Sequence, residues 1–298
     1  MAGADEAATA AEAAPAADST AADSEDRARA ADRRFLELAL DEGDHTGHVV
    51  IAMRHSTPDG RFYGGAGLAL TIVAMEAATR RRVRWATAQF VSSARIGDDI
   101  TIEVQVAAAG RSTSQLRVNG SVEGRTLFHA LGATGLPHSE LPGRAFPAMP
   151  AVPAPDACPP LDVPRAAGGS PGHFETEDVR DAGTESPMRA WIRLYDHDVA
   201  RPAMLGYIAD LVPLAVRRAL DVRGAGASLD NTIRVGAPVR SPWVLLELEP
   251  DFTDAGYAHG TVRLWSQTGE LVAVATQTAT LRPFPPDPAA PSDSATAF

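Results

Sequence analysis

The sequence predicts an α+β protein made of two similar halves, in each of which an antiparallel sheet wraps around one apolar helix. Three observations lead to this prediction. Each half contains one long segment that is almost free of charge, residues 63–81 and residues 201–221. In each half, one strand-like segment precedes this helix and four follow it. A proline-rich segment, residues 137–171, separates the two halves.

The first half begins with a short strand-like run, "VVIAM", at residues 49–53. The next segment, "YGGAGLALTIVAMEAATRR", opens with glycines and carries no charge before Glu76. This pattern is typical of a helix that is buried on nearly all sides. Four strand-like runs complete the half, at residues 83–93, 99–108, 114–122 and 125–133.

The second half repeats this order. A strand-like run at residues 189–195 precedes "RPAMLGYIADLVPLAVRRALD", which is again nearly uncharged and, like the first helix, carries paired arginines near its end. Pro213 lacks the N–H that would bond to the carbonyl of Ala209, so we expect the helix to kink there. Strand-like runs follow at residues 228–235, 244–249, 258–265 and 271–281.

A single antiparallel sheet around one apolar helix explains this order, because the helix must be apolar all round while each strand needs only one apolar face. This is the hotdog architecture, and the sequence predicts two tandem hotdog folds, at residues 35–136 and 172–284. The proline density of residues 137–171 predicts an extended linker. Residues 1–34, which are rich in alanine and acids, and residues 285–298 are expected to be disordered tails.

Composition excludes several classes of function. The net charge is −11, and residues 1–31 hold seven acids against two arginines, so the remainder is mildly acidic and offers no basic surface for nucleic acid. All 27 basic residues are arginine. The absence of lysine excludes Schiff-base chemistry, attachment of pyridoxal phosphate and a P-loop.

The cellular compartment is predicted from cysteine content and from the lack of targeting signals. The single cysteine, Cys158, cannot form an internal disulfide, which favours a reducing compartment. The first residues lack the basic region and apolar core of a signal peptide. No apolar run approaches the roughly 18 residues that span a bilayer. We therefore expect a cytoplasmic protein that binds neither nucleic acid nor membrane.

Two motifs that could indicate chemistry are set aside. Residues 168–172 match G-x-S-x-G, but that motif works at a strand-to-helix turn, whereas here it lies in the linker with Pro171 directly after Ser170. The run Asp196, His197 and Asp198 is interpreted as a turn, because adjacent strand residues point to opposite faces and no second ligand cluster accompanies it.

Asp210 is a polar exception in the most apolar helix of the second half. A lone carboxylate there must be paired or hydrogen-bonded to be tolerated. Burial would also raise its pKa and make it a stronger base. Two interpretations remain open at this point: Asp210 is a catalytic base, or it bridges the helix to a nearby strand.

Gln277 and Ser228 are the other two candidates. Alternation along "LVAVATQTATL" places Gln277 among alanines and leucines on the face that points at the helix. In "GASLDNTIRV", the same alternation puts Ser228, Asp230 and Thr232 on one face, directly after "RGAG", which indicates a turn. Gln277 is either satisfied by the backbone or part of a site. Ser228 and Asp230 either stabilise the start of their strand or handle a substrate.

Taken in order, five segments resemble the acyl-CoA thioesterase II (TesB-like) family of double-hotdog enzymes. "FYGGAGLAL" looks like its F-G-G-Q-x-x-x-x-A helix start, and "ARIGDD" with "GRSTSQLRV" is similar to its R-P-G-D and D-G-R-S-F strands. "FPAMPAVPAPDACPP" is similar to its M-P-x-V-P-P-P linker, and "LGYIADL" to its A-Y-x-S-D-x helix. "ASLDNTI" resembles its T/S-L/I-D-H-S motif, and "GELVAVATQTATLR" resembles its G-x-L-V-A-S-x-x-Q-E-G-x-x-R motif.

The resemblance implies an acyl-CoA thioesterase that needs no cofactor or metal and acts on an acyl-CoA substrate. In the family, an Asp, a Ser or Thr, and a Gln hold a water against the thioester carbonyl. Matched motif by motif, these roles fall on Asp210, Ser228 and Gln277. In the first half, matching the helix ends puts Val73 opposite Asp210, so only the second half is expected to be catalytic, with Glu76 as a rival acid.

The chain also departs from the family pattern. Asn231 stands where the family has histidine, and Ala66 where it has the glutamine of G-G-Q. These departures keep an alternative open, namely a non-hydrolysing acyl-CoA or acyl-carrier binding protein of the same fold. A hotdog hydratase ranks last, because it needs a histidine paired with an acid and no histidine lies near these motifs in the sequence. A homo-oligomer is expected, since hotdog layers commonly pair.

Overall fold

The computed structural model describes residues 16–165, 169–183, 186–195 and 197–283. Its centre is one antiparallel sheet of twelve strands. Across the sheet, the strands occur in the order 39–40, 46–50, 99–109, 113–122, 125–135, 82–90, 224–235, 271–283, 257–266, 244–254, 188–194 and 177–183. The first six strands in this order belong to the first half of the chain and the last six to the second. The pairing of strand Arg82–Phe90 with strand Gly224–Val235 joins the halves into one continuous sheet. The prediction of two tandem hotdog folds is confirmed.

The first half wraps its strands around helix α2. Its elements are β1 (Ala39–Leu40), β2 (Thr46–Val50), α2 (Gly64–Thr79), β3 (Arg82–Phe90), β4 (Asp99–Ala109), β5 (Thr113–Val122) and β6 (Arg125–Gly135). Every residue of α2 from Gly64 to Ala77 is buried, which agrees with its uncharged sequence. None of the described helices combines the length and the apolarity that crossing a membrane requires.

The second half has the same arrangement around two shorter helices. Its elements are β7 (Glu177–Gly183), β8 (Met188–Leu194), α3 (Pro202–Ile208), α4 (Val212–Ala219), β9 (Gly224–Val235), β10 (Val244–Asp254), β11 (Tyr257–Ser266) and β12 (Leu271–Pro283). Strand β7 is not among the predicted strands, because its sequence, "EDVRDAG", is charged and lies at the edge of the sheet. The "RGAG" segment is also not a turn, since β9 already begins at Gly224.

The predicted kink near Pro213 is a complete break in the helix. Residues 209–211 separate α3 from α4, and the carbonyl of Ala209 accepts a hydrogen bond from the N–H of Leu211 (3.0 Å) instead of from residue 213. Proline suits the first turn of a helix, where an N–H would have no intrahelical partner. Pro213 therefore prevents α3 from continuing and lies in the first turn of α4, and Asp210 lies in the break.

The prediction that residues 1–34 are disordered is wrong for residues 16–34, which belong to helix α1 (Ala16–Phe35). Asp32 is buried and bonds to both Arg201 (3.0 Å) and His197 (2.8 Å). Glu25 also pairs with Arg201 (3.1 Å). The large apolar side chain that α1 buries is its last residue, Phe35, so no apolar stripe marks the helix in the sequence. Residues 1–15, the predicted tail at 285–298, Gly168 and Asp196 lie outside the described residues.

The linker lies against the outer face of the second half. Its described residues, 137–165 and 169–171, contain no named strand, and the only helical turn among them is Pro155–Ala157. The indole N–H of Trp191 donates to the carbonyl of Pro153 (2.9 Å). A second apolar cluster forms beneath the linker, containing Cys158, Trp191, Trp243, Leu245 and Trp265. The linker therefore covers a tryptophan-rich surface that the sheet leaves on the side away from its helices.

Candidate active site

The three residues predicted to act together do meet in the structure. Asp210 lies in the break between α3 and α4, Ser228 on β9 and Gln277 on β12. The Ser228 hydroxyl donates to Asp210 Oδ1 (2.9 Å), and the Gln277 amide nitrogen donates to the same oxygen. The Gln277 nitrogen also lies 2.7 Å from the Ser228 hydroxyl oxygen. Side chains that are up to 67 residues apart in the chain therefore form one hydrogen-bonded triangle.

Ser228 reaches this triangle because β9 contains a bulge. Ser228 pairs with Ala279 and Asp230 with Thr278, so Leu229 has no partner of its own on β12. An extra residue reverses the alternation of side chains. The prediction that Ser228, Asp230 and Thr232 share a face is therefore wrong.

Beyond the bulge, the inward-facing residue is Asn231 rather than Asp230. Asn231 pairs with Gln277 and is fully buried. The carboxylate of Asp230 accepts from the N–H of Thr278 (3.0 Å), which stabilises the strand pair rather than the triangle.

Gln277 is held in one orientation by the start of α4. Its side-chain oxygen accepts from the N–H of Val212 (3.2 Å), the first residue of that helix. Backbone N–H groups in the first turn have no intrahelical partner, so a side-chain acceptor is expected there. With the oxygen occupied, the amide nitrogen must face Asp210 and Ser228. The predicted inward orientation of Gln277 is confirmed, and only 1% of the residue is exposed.

The pKa of Asp210 is raised from 3.8 to about 6, because burial disfavours the charged carboxylate. Hydrogen bonds from Ser228, Gly65 and Gln277, together with nearby His173, act in the opposite direction and stabilise the charge. At neutral pH the carboxylate is therefore ionised, yet it is a stronger base than an ordinary aspartate.

The first half contributes the amino end of α2. The N–H of Gly65 donates to Asp210 Oδ2 (2.7 Å). A Cβ at Gly64 would lie 2.5 Å from the same oxygen, and one at Gly65 would overlap the carbonyl oxygen of Tyr207. Only glycine permits this approach of the helix end to the carboxylate. The paired glycines in the sequence indicated a close approach at this helix end, but they did not indicate which carboxylate lies there.

A buried aromatic group lies beside Asp210, and no sequence pattern indicated it. The His173 ring stacks on Tyr63 with 3.7 Å between ring centroids, and its Nδ1 lies 2.8 Å from the Glu177 carboxylate. The Tyr63 hydroxyl donates to the carbonyl of Tyr207 (2.8 Å), the residue three before Asp210. A histidine paired with an acid therefore does lie near the site, contrary to the sequence-based argument against a hydratase. Tyr63 covers one face of the His173 ring.

The first half has no corresponding set of polar residues. The pairing of β3 with β6 contains a matching bulge, where Val83 pairs with Thr134 and Trp85 with Ala133. When the two bulges are aligned, Val83 occupies the position equivalent to Ser228, and Gly132 the position equivalent to Gln277. Glu76 is buried, and burial raises its pKa to about 7, but its carboxylate accepts from the N–H of Val83 (2.9 Å). Glu76 thus bonds to the backbone at the position that corresponds to Ser228.

Both halves of the chain match models of known protein families. Residues 52–135 match the model of the acyl-CoA thioesterase N-terminal domain, and residues 143–281 match that of the acyl-CoA thioesterase C-terminal domain. The search of curated protein sequences returned no match.

Solved structures share the fold over most of the chain. A putative thioesterase from Novosphingobium aromaticivorans is 30% identical, with a TM-score of 0.76, covering 82% of this chain and 98% of that one. The acyl-CoA thioesterase II TesB2 from Mycobacterium marinum is 23% identical, with a TM-score of 0.68, covering 85% and 98%. A TesB protein from Mycobacterium avium subspecies paratuberculosis is 19% identical, with a TM-score of 0.70, covering 86% and 100%.

The two family models together span both hotdog folds, and the boundary between them falls at the start of the linker. The segments that supply Gly65, Asp210, Ser228 and Gln277 all lie within the matched residues. With its paired hotdog halves and its family-model matches over both, the chain belongs to the acyl-CoA thioesterase family.

Proposed function

We propose that this protein hydrolyses an acyl-CoA thioester to a free carboxylic acid and CoA, with Asp210 as general base. The observation that carries the proposal is the convergence of three donors, from Ser228, Gln277 and Gly65, on one buried carboxylate whose pKa is raised to about 6. A base works best when its pKa lies near the operating pH, provided that it can reach the proton that it removes.

The proposed reaction needs no covalent intermediate. A water held by Asp210, Ser228 and Gln277 loses a proton to the Asp210 carboxylate while its oxygen attacks the thioester carbonyl carbon. The resulting oxyanion accepts hydrogen bonds from N–H groups in the first turn of α2, where the helix dipole also favours negative charge. When the C–S bond breaks, the proton on Asp210 passes to the departing thiolate, so the carboxylate is regenerated.

The surroundings of Asp210 support this assignment over that of a structural carboxylate. A bridging Asp would need only enough partners to satisfy its charge, whereas here the Ser228 hydroxyl and the Gln277 amide also lie within hydrogen-bond distance of each other (2.7 Å). Two groups arranged in this way can orient a water from one side while Asp210 removes its proton. The residues at the corresponding positions of the first half, Val83 and Gly132, have no polar side chain.

The experiment is thiol release from a panel of acyl-CoAs of different chain length, compared between the wild type and Asp210→Asn. We expect kcat to fall at least about 100-fold, the usual contribution of a positioned general base. Glu76→Gln is the matched control, because it neutralises a second buried acid outside the triangle, and it should retain activity. Undiminished turnover by Asp210→Asn would remove Asp210 from the mechanism.

The alternative is a non-hydrolysing acyl-CoA or acyl-carrier binding protein, motivated by the departures at Ala66 and Asn231. The same panel separates it from the hydrolase. Tight binding of an acyl-CoA by the wild type, measured calorimetrically, without thiol release from any member of the panel would favour the binding protein.

A further inference from the structure

Asn231 carries a fully buried carboxamide that the mechanism above does not use. Among the residues that the structure describes, neither its oxygen nor its nitrogen has a hydrogen-bond partner. Its exposed fraction is 0%. Buried side-chain amides in proteins are nearly always paired, because an unpaired donor or acceptor loses its bonds to water and gains nothing in return. Such a group is available to pair with a small polar group that enters the site.

The fold itself does not need a polar residue at this position. When the bulges of the two halves are aligned, the residue corresponding to Asn231 is Ala86, which pairs with Gly132 as Asn231 pairs with Gln277. Ala86 is equally buried. The same position is thus filled by a small apolar residue in the half that lacks the triangle. Only the half that carries Asp210, Ser228 and Gln277 has an amide there.

Asn231 also lies beside the proposed reaction centre. It is directly opposite Gln277 on β12 and directly opposite Ala88 on β3, so it lies where the two halves of the sheet join. Cβ atoms of directly opposed residues in an antiparallel pair are roughly 5 Å apart. A group at Asn231 is therefore within a few carbon atoms of a thioester carbonyl held at the triangle.

The hydrogen-bonding groups of the unpaired amide determine which substrate group can pair with it. The carboxamide offers two N–H donors and one acceptor oxygen, and all are unpaired. An oxo group or an oxyanion can only accept, and would leave the Asn231 oxygen unsatisfied. An alkyl chain would leave both atoms unsatisfied. A hydroxyl both donates and accepts, and so can pair with both.

We infer that Asn231 is a specificity-determining residue that binds a hydroxyl group on the acyl chain, and that the preferred substrates are hydroxyacyl thioesters with the hydroxyl close to the carbonyl. This inference rests on the proposed hydrolase activity and names its substrate class. Binding a substrate hydroxyl satisfies the amide, whereas an unsubstituted chain buries it unpaired. A site of this kind discriminates strongly against the analogue that lacks the hydroxyl.

The test compares kcat/KM for matched pairs of CoA esters, such as butyryl-CoA against each enantiomer of 2-hydroxybutyryl-CoA and 3-hydroxybutyryl-CoA, with the wild type and Asn231→Ala. We expect the wild type to prefer one hydroxylated ester by at least about tenfold. Asn231→Ala, which copies Ala86, should lose this preference. Its melting temperature should rise or stay unchanged, because an unpaired buried amide has been removed.

Thr232→Val is the matched control on the same strand, since Thr232 belongs to the opposite face and its hydroxyl bonds to Thr87 (2.6 Å). It should keep the preference of the wild type. The inference is overturned if the wild type cleaves hydroxylated and plain esters equally well. It is also overturned if Asn231→Ala lowers both rates equally together with the melting temperature, as a purely structural amide would. Absence of thiol release from every ester would instead contradict the proposed hydrolase function.

Discussion

At the scale of single residues, the behaviour of Asp210 with pH provides the first prediction. The proposed base must be ionised, and its pKa is raised to about 6. We therefore expect kcat/KM for an acyl-CoA to fall tenfold per unit as the pH drops below about 6, and to reach a plateau above it. Thiol release measured across this range checks the profile. A flat profile through pH 6 would mean that Asp210 does not lose its proton in the rate-determining process.

The same raised pKa has a consequence for stability. The native state binds a proton on Asp210 more tightly than the unfolded state does, so ionisation destabilises the fold as the pH rises from about 4 to about 6. The cost above this range is about 3 kcal/mol, at 1.36 kcal/mol per pKa unit. The free energy of unfolding of Asp210→Asn relative to the wild type should thus shift by about 3 kcal/mol in favour of the variant over this interval.

Glu76→Gln provides the comparison for that measurement. Burial raises the pKa of Glu76 to about 7, so its destabilising effect should appear at higher pH, between about 4.5 and 7. Chemical denaturation at several pH values distinguishes the two variants. Identical pH dependence of stability in Asp210→Asn and the wild type would show that the carboxylate is not desolvated.

Residues differ in how far the sequence could predict them. Asp210 and Gln277 stand out because each is polar in an otherwise apolar pattern. Ser228 was predicted to join them and does bond to Asp210, although the alternation used to place it failed at the Leu229 bulge, which no local pattern marks. The pairing of His173 with Tyr63 depends on contacts between distant segments, so no spacing in the sequence could indicate it.

At the scale of secondary-structure elements, the approach of α2 to the break between α3 and α4 depends on glycine. A Cβ at Gly65 would overlap the Tyr207 carbonyl oxygen and meet the Tyr63 ring. We expect Gly65→Ala to push α2 away from Asp210, to lower the melting temperature and to reduce kcat. Gly143→Ala is the control, because its Cβ would meet no atom within 4 Å. Normal activity and stability in Gly65→Ala would contradict the contact between the helix end and Asp210.

Helix α1 depends on one buried carboxylate. Asp32 bonds to Arg201, which precedes α3 and is itself buried. In Asp32→Ala, the buried Arg201 keeps only Glu25, whose side chain is 41% exposed, as a counter-charge, so the variant should be less stable by about 3 kcal/mol in urea denaturation. Asp26→Ala, which removes an exposed partner of Arg29 on the same helix, should cost less than about 1 kcal/mol. Equal small effects would mean that α1 contributes little to the stability of the fold.

Strands and the central helices were predictable because each has a strong pattern of apolar residues. The exceptions are instructive. Helix α1 has almost no large apolar side chain before Phe35, and β7 is a charged edge strand, so neither carries the pattern that a buried face imposes. Their positions are fixed by partners elsewhere in the chain, such as Arg201 for α1.

At the scale of the whole molecule, the two halves share one architecture, but only the second carries the polar triangle of Asp210, Ser228 and Gln277. The continuous sheet through β3 and β9 brings the amino end of α2 from the first half to Asp210 in the second. The repeated order of elements made the tandem fold predictable from the sequence. That the site is built from both halves was not predictable, because the order of elements does not say which ends meet. Homo-oligomer formation and a cytoplasmic location remain predictions.

In the proposed mechanism, water that Asp210 activates attacks the thioester directly. A single turnover in ¹⁸O-labelled water, with the protein in excess over an acyl-CoA that it cleaves, tests it most directly by mass spectrometry of the released acid and of the peptide containing Asp210. We expect one labelled oxygen in the acid and none in the peptide. Label in Asp210 together with unlabelled acid would show attack by the Asp210 carboxylate instead, and would contradict direct attack by water.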